Sequence, residues 1–385
     1  MFNKSKLSVI VALSLSPISL TTMAEQPSYD MGQRMFEAQN TCIVRFDDSI
    51  SKFDVEGVAR GMLASANAKA KHIYSHSIKG FAVNMPCPQA ENAFGNNASI
   101  ASFEQDRLVF AVAPPPGKGK NQDGDTSEPP ASQSTPWGIT RVGGPFDGSG
   151  LTAWVIDTGI DLNHPDLVVD SSRGFSAFSN GPDASPDDKH GHGTHVAGTI
   201  AAINNDIDVV GVAAGATVIP VKVLDRRGSG TTSGVIAGID FVAANGAAGD
   251  CANMSLGGGK SASLDAAVQS LAATGVMVSL AAGNESQFAG NVSPAGANGA
   301  TIYTISATDV NDNFAYFSNY GNPPVDYAAP GVAILSLKVG GGTTTASGTS
   351  MAAPHACGVL LSGSHTSSGT AKGDPDASPD PIIHL

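Results

Sequence analysis

Leu151-Thr-Ala-Trp-Val-Ile156 runs directly into Asp157-Thr158-Gly159. The run is apolar apart from Thr152 and lacks the alternation of a half-exposed strand, so both its faces should be covered. Four further runs of β-branched or apolar residues follow: Thr217–Val223, Cys251–Ser255, Val276–Ala281 and Ile302–Ala307. Helical spacing is found at His192–Ala202, Thr232–Ala244, Ser263–Ala273 and Thr349–Leu361. Doubly buried strands separated by helices predict an α/β fold, a mostly parallel β-sheet flanked by helices. Ligands of such sheets bind at the carboxyl ends of the strands, where Asp157 lies.

Upstream, a smaller unit reads as strand Cys42–Phe46, helix Val55–Ala68, strands His72–Ile78 and Phe81–Met85, helix Pro88–Phe94, and a last strand or two within Ile100–Phe110. This β-α-β-β-α-β order predicts a small α+β, ferredoxin-like split βαβ sandwich. Residues 114–132 change character: Pro114-Pro115-Pro116, Gly117, Gly119, Gly124, Pro129 and Pro130 sit among polar residues. They carry too little apolar surface to order themselves and read as a linker open to proteolysis. Residues 1–24 read as a secretory signal, with Lys4 and Lys6, the apolar stretch Leu7–Leu20, and small residues around Thr22-Met23-Ala24. Residues 362–385, from Ser362 through the Asp374, Asp376 and Asp380 segment, read as a polar C-terminal tail.

Composition narrows the function. Among 385 residues, 34 are acidic and 21 basic, a net charge of −13 that disfavours nucleic acid or an anionic membrane as partner. No segment after the signal reaches ~18 uninterrupted apolar residues, so the mature chain is expected to be soluble and exported, extracellular or periplasmic. Four cysteines suit an oxidising compartment. Cys42 and Cys87 precede the linker and Cys251 and Cys357 follow it, so one bridge in each half is the simplest pairing. Reduced, buried thiols remain an equal alternative for the second pair.

Three local strings carry the chemistry. Serine is a poor nucleophile until a base takes its proton and a carboxylate orients that base. Asp157 ends a strand, where it can accept the Nδ1 proton of a histidine. His192 stands between glycines in His190-Gly-His-Gly-Thr-His195, which leaves its ring accessible. The string lacks the glutamate of a His-Glu-x-x-His metal site. Ser350 opens a helix in Gly348-Thr-Ser350-Met-Ala-Ala-Pro354, whose positive end faces the reaction site. Taken alone, an Asp after a strand is usually a turn and a Ser at a helix start is usually a cap. The Gly-x-Ser-x-Ala string also approaches the elbow of α/β-hydrolases, but those need the order Ser, Asp, His. A binding module that had lost catalysis would be expected to have lost one of these residues.

Together the three strings, in the order Asp, His, Ser, closely resemble the subtilase family of serine proteases over about Gln133 to Leu361. The resemblance implies a serine endopeptidase, expected to be monomeric, that cleaves proteins and peptides through Asp157, His192 and Ser350. It makes Asn284, in Ala281-Ala-Gly-Asn284, the oxyanion donor together with the backbone N–H of Ser350. It makes Gly228-Ser229-Gly230 and Ser255-Leu256-Gly257 the strands that pair with substrate, with Ala281 and Gly283 on the other side of an apolar specificity pocket. Val292 is expected near the floor of that pocket and Glu285 at its rim. Structural calcium is implied at Gln133, Asp166, Ile203, Asn205, Ile207 and Val209, an oxygen-rich set. Asp183, Asp187 and Asp188 read instead as an acidic surface loop. The segment before the linker resembles the family's inhibitory propeptide, released by self-cleavage between about Ala113 and Gln133. The family usually continues with further helices after the serine helix, a pattern from which this chain departs.

Overall fold

The computed structural model describes residues 27–112 and 132–385. The signal and nearly all of the linker expected from the sequence lie outside the described residues. The core is a ten-stranded sheet. From one edge its strands run Thr366–Thr370, Pro381–His384, Val325–Pro330, Ile302–Thr308, Met277–Ala281, Cys251–Met254, Thr152–Asp157, Thr217–Lys222 and Val168–Val169. Phe175–Ser176 pairs further along Thr217–Lys222. Every pairing is parallel except that between Thr366–Thr370 and Pro381–His384.

Trp154 and Ile156 point to one face of the sheet, among Val235, Ile239 and Val268; Ala153 and Val155 point to the other, among Val196, Ile200 and Ala353. Both faces are thus covered by helices, as the unbroken apolar runs require. Helices His192–Ala201 and Thr349–Leu360 pack on the second face, and their N-termini bring His192 and Ser350 to one end of the sheet. Cys251 and Cys357 are disulfide-bonded, which ties the serine helix to a central strand.

The stretch 362–385 is not a polar tail. Thr366–Thr370 and Pro381–His384 form two strands of the sheet, with Ile382 and Ile383 fully buried. Glycines, serines and aspartates outnumber apolar residues about two to one in this segment and hid the short Pro-Ile-Ile-His run from any average over it. Asp380 is buried at its start, bonded to Ser306, and burial pushes its carboxyl up to about 7.

The N-terminal unit is a four-stranded antiparallel sheet in the order Ala70–Tyr74, Gly80–Val83, Cys42–Phe46, Ile100–Gln105, with helices Val55–Ser65 and Cys87–Phe94. The Cys42–Cys87 disulfide closes its core. A helix over Pro27–Gln39 precedes it, which the sequence reading did not anticipate. The unit docks by capping helices of the larger domain. Asp106 accepts hydrogen bonds from the backbone N–H and hydroxyl of Ser233 (2.9 and 2.6 Å), and Glu104 from the N–H of Ser263 (2.8 Å), both in the first turn of a helix. In return Asp240 accepts the N–H groups of Ser75, His76 and Ser77.

Candidate active site

The strand Leu108–Ala111 leaves the N-terminal unit and lies between two strands of the larger domain. On one side Phe110, Val109 and Leu108 pair antiparallel with Ser229, Gly230 and Thr231, and Ala111 donates to the carbonyl of Gly228 (2.9 Å). On the other, Ala111, Phe110 and Val109 pair with Leu256, Gly257 and Gly258, and Val112 N–H reaches the carbonyl of Ser255 (3.4 Å). The residues expected to hold an extended substrate therefore hold a segment of this chain. Glycine is needed where the strand passes, because a Cβ on Gly258 would stand 2.7 Å from the carbonyl oxygen of Leu108.

The strand ends at Val112, whose carbonyl oxygen accepts from Asn284 Nδ2 (3.1 Å) and from the Ser350 hydroxyl (2.9 Å). The amide of Asn284 is aimed by its other end, since Oδ1 accepts from the N–H and the hydroxyl of Thr349 (both 2.9 Å). Gly348 precedes this pair with φ 149°, and a Cβ there would meet Asn284 Nδ2 at 3.0 Å and the Val112 oxygen at 3.2 Å. The Gly-Thr-Ser order thus clears space, orients the amide and supplies the hydroxyl in turn. The backbone N–H of Ser350, expected as the second donor, makes no hydrogen bond to this carbonyl. The Ser350 hydroxyl itself supplies the second contact, and it also bonds the carbonyl of Ser255 (3.0 Å).

Asp157 Oδ1 lies 2.8 Å from His192 Nδ1 and accepts the N–H of Thr158 at 2.7 Å. That contact sets the imidazole so that Nε2 is the free nitrogen, and Nε2 is buried with no hydrogen-bond partner. In this state Ser350 is engaged with Val112 and Ser255 rather than with His192. Burial lowers the imidazole pKa, but the charge and hydrogen bond of Asp157 and the charge of Asp188 outweigh it, for a net rise above 6.5.

Asp188, expected in an acidic surface loop, is fully buried. Its Oδ1 accepts from the Thr158 hydroxyl (3.0 Å) and the N–H groups of His190 and Gly191 (both 2.9 Å). Its Oδ2 accepts from the N–H (3.0 Å) and hydroxyl (2.7 Å) of Thr194. One carboxylate therefore joins the loop after Asp157 to the first turn of the His192 helix. Asp183 is also buried, bonded to Arg226 N–H (3.0 Å) with Lys222 Nζ 3.4 Å away, and Asp187 pairs with Lys189. Asp183 and Asp188 are thus internal, with Arg226, Lys222 and Thr158 brought to them from distant segments, while Asp187 and Lys189 pair at the surface.

A pocket of about 340 Å³ opens beside Val112, lined by Gly257, Gly258, Ala281, Gly283, Val292 and Ala295. Glu285 stands among its lining residues and accepts from Asn319 Nδ2 (2.7 Å).

The expected calcium ligands also converge. Gln133 Nε2 faces the carbonyl oxygens of Ile203 (2.6 Å), Ile207 (3.3 Å) and Val209 (3.1 Å) and the side-chain oxygen of Asn205 (3.2 Å). An amide nitrogen carries two hydrogens, so four oxygens around it outnumber the protons available. Asp166 sits at the edge, taking Asn205 Nδ2 at 2.6 Å, and burial pushes its carboxyl up to about 6. A cluster of inward-facing oxygens with a buried carboxylate beside it fits a hard cation.

A parallel sheet presenting a serine, a carboxylate-paired histidine and an amide donor to the end of an extended strand defines an α/β serine hydrolase that acts on polypeptides. The chain belongs to the subtilase family, peptidase S8, whose model matches residues 148–362. A subtilisin-like serine protease of Sarocladium strictum, AsES, is 38% identical over 373 residues, covering 92% of this chain and 87% of that one. Alkaline serine exoprotease A of Vibrio alginolyticus is 41% identical over 303 residues, 76% of this chain and 52% of the relative. The crystal structure of a cold adapted subtilisin-like serine proteinase superposes with a TM-score of 0.58 at 39% identity, covering 64% of this chain and 97% of that one. The protein is a serine-type endopeptidase.

Proposed function

We propose that this endopeptidase works through Asp157, His192 and Ser350, and that its first substrate is its own Val112–Ala113 bond. The observation that carries the reading is the seat of Val112. Its carbonyl oxygen lies against Asn284 and Ser350, while the residues before it pair with both neighbouring strands. Ser350 Oγ adds to the Val112 carbonyl carbon as His192 Nε2 takes the hydroxyl proton, and Asp157 holds the imidazolium. Asn284 stabilises the oxyanion. Collapse breaks the bond to the Ala113 nitrogen, which receives the proton from His192; water then hydrolyses the acyl-enzyme by the reverse use of the same base. The N-terminal unit is on this reading a ferredoxin-like inhibitory propeptide, left in the cleft as product. The expected release zone moves to its upstream border, after Val112. Mass spectrometry of newly made protein should find a chain beginning at Ala113, later trimmed or not, and Ser350→Ala should accumulate the uncut precursor. A first cut elsewhere, or normal cutting of Ser350→Ala, would overturn the assignment.

The pocket beside Val112 favours apolar side chains, because glycine, alanine and valine line it and Glu285 is held by Asn319. A cleavage profile dominated by Asp or Glu at that position would contradict this. We infer further that calcium occupies the cradle at Gln133, Asp166, Ile203, Asn205, Ile207 and Val209, where it would bind the surplus oxygens and hold the N-terminal edge of the catalytic domain. Export to the cell exterior or periplasm is supported by two disulfides, and among the described residues no helix is long and apolar enough to cross a membrane.

A further inference from the structure

The helix Pro27–Gln39 touches the catalytic domain through a side chain that the chemistry above does not use. Arg34 Nε donates to Asp225 Oδ2 at 3.2 Å, and its guanidinium carbon stands 4.9 Å from the centre of the Phe178 ring. Its Nη1 bonds Glu37 of its own helix (3.2 Å). Beside this contact a cleft of about 720 Å³ separates the helix from the catalytic domain, with Gln33, Phe36, Ser179 and Pro182 along it. Arg34 thus reaches the catalytic domain at the edge of this gap.

Both walls of the contact belong to the catalytic domain and are held there by its own backbone. Asp225 Oδ1 is fixed by the N–H groups of Arg227 (2.9 Å) and Ser229 (3.1 Å) and by the Ser229 hydroxyl (3.1 Å). Its side chain is only 3% exposed. Phe178 follows Ala177, whose N–H bonds the carbonyl of Lys222 (2.9 Å). A fixed carboxylate oxygen beside an aromatic face suits a planar cation that can donate at its edge and stack on its plane, which describes guanidinium better than ammonium. Arg226, the neighbouring cation, is engaged by Asp183 (3.2 Å). Ser229, which Asp225 holds, pairs with Phe110 in the cleft strand, so the contact adjoins the substrate-binding strand.

We propose that Asp225 and Phe178 form a guanidinium-binding exosite of the protease, filled by Arg34 in the precursor, whose ligand is an arginine on a folded protein that also enters the cleft. In the precursor the arginine is supplied 78 positions before Val112, by a folded unit that also fills the cleft. The exosite prolongs inhibition after cleavage by holding the N-terminal unit at a second point. This rests on the reading that the unit is cut and then released.

The test uses the full-length chain. Cleavage is followed by mass, and the lag from cleavage to activity on a short chromogenic peptide is timed. Arg34→Ala should shorten the lag about tenfold, the scale of a charged hydrogen bond with a cation–π contact. Arg34→Lys should fall between, and the cleavage rate should not change. Ethylguanidinium should shorten the wild-type lag, ethylammonium at equal ionic strength should do so less, and neither should alter the Arg34→Ala lag. Equal lags for wild type and Arg34→Ala, or equal effects of the two cations, would overturn the exosite. If the wild type is never cut, the processing reading fails instead. The exosite is then read in Ser350→Ala precursor, where adding Arg34→Ala should raise hydrogen exchange in the helix Pro27–Gln39 several-fold. Unchanged exchange there would also overturn it.

Discussion

Asp188 and Asp166 are both buried carboxylates near the chain's functional machinery, yet their surroundings differ in kind. Asp188 receives five hydrogen bonds from Thr158, His190, Gly191 and Thr194, so its charge is balanced within the fold. Asp166 stands beside a cradle with more oxygens than hydrogens, and burial has raised its pKa to about 6. The first belongs to a network that needs nothing from solution; the second belongs to one that an external cation would complete. Catalytic geometry is thus built from internal hydrogen bonds, while the edge of the domain carries a cradle that a cation from the medium would complete.

Replacing each carboxylate should separate the two roles. Asp188→Ala leaves five donors without their acceptor, several of them buried, at a cost of ~1–3 kcal/mol for each donor that water cannot reach. The same change loosens the turn that sets His192 against Asp157. We expect kcat to fall by at least ~10²-fold, with added calcium restoring none of it. A variant with near-normal kcat would break the comparison at its first term. Asp166→Ala should instead keep kcat within about twofold, because Asp166 touches neither the cleft nor the histidine helix's first turn.

Calcium should act on that second term alone. If the cradle binds calcium with the ion at ~100 times its dissociation constant, linkage contributes ~2.7 kcal/mol, or roughly 5–10 °C in Tm for a domain of this size. A chelator should lower the wild-type Tm by that amount and leave Asp166→Ala unchanged. Equal chelator sensitivity in both proteins would place the ion elsewhere, and no sensitivity in either would remove it.

The contrast also describes what was legible in the sequence. Asp157, His192, Ser350 and Asn284 each sit in a string whose small residues have a local reason, as Gly348 shows by leaving room for the Val112 carbonyl oxygen and the Asn284 amide. Five central strands and four helices of the catalytic domain were readable from their apolar runs, with ends within a residue or two of those runs; Val325–Pro330, broken by Asp326 and Pro330, was not among them. Asp188 was not readable, since its role is defined by partners on two segments and its local string is merely acidic. The strand Pro381–His384 was missed because four residues in a polar context carry no periodicity; only the edge of Val325–Pro330 gives them a place. The helix Pro27–Gln39 has no counterpart among the motifs, and its Arg34 finds a partner 191 residues away.

The pH dependence of stability gives the smallest effect and tests the same difference. Asp166 has a folded pKa of about 6 against an unfolded value near 3.8, with burial as the leading cause. The native state therefore binds more protons than the unfolded chain between those values, and stability must fall as pH rises through that window. A bound divalent cation favours the carboxylate, pulls the folded pKa down and removes this fall. In chelator, then, Tm should decline from about pH 4 to about pH 6 by an amount that Asp166→Asn abolishes; in calcium the decline should be absent from the wild type. Asp188 supplies the control, because Asp188→Asn should leave the calcium-dependent part of the curve in place. A pH curve identical with and without calcium would mean that the surplus oxygens of the cradle are satisfied by water, and that Asp166 is balanced as internally as Asp188.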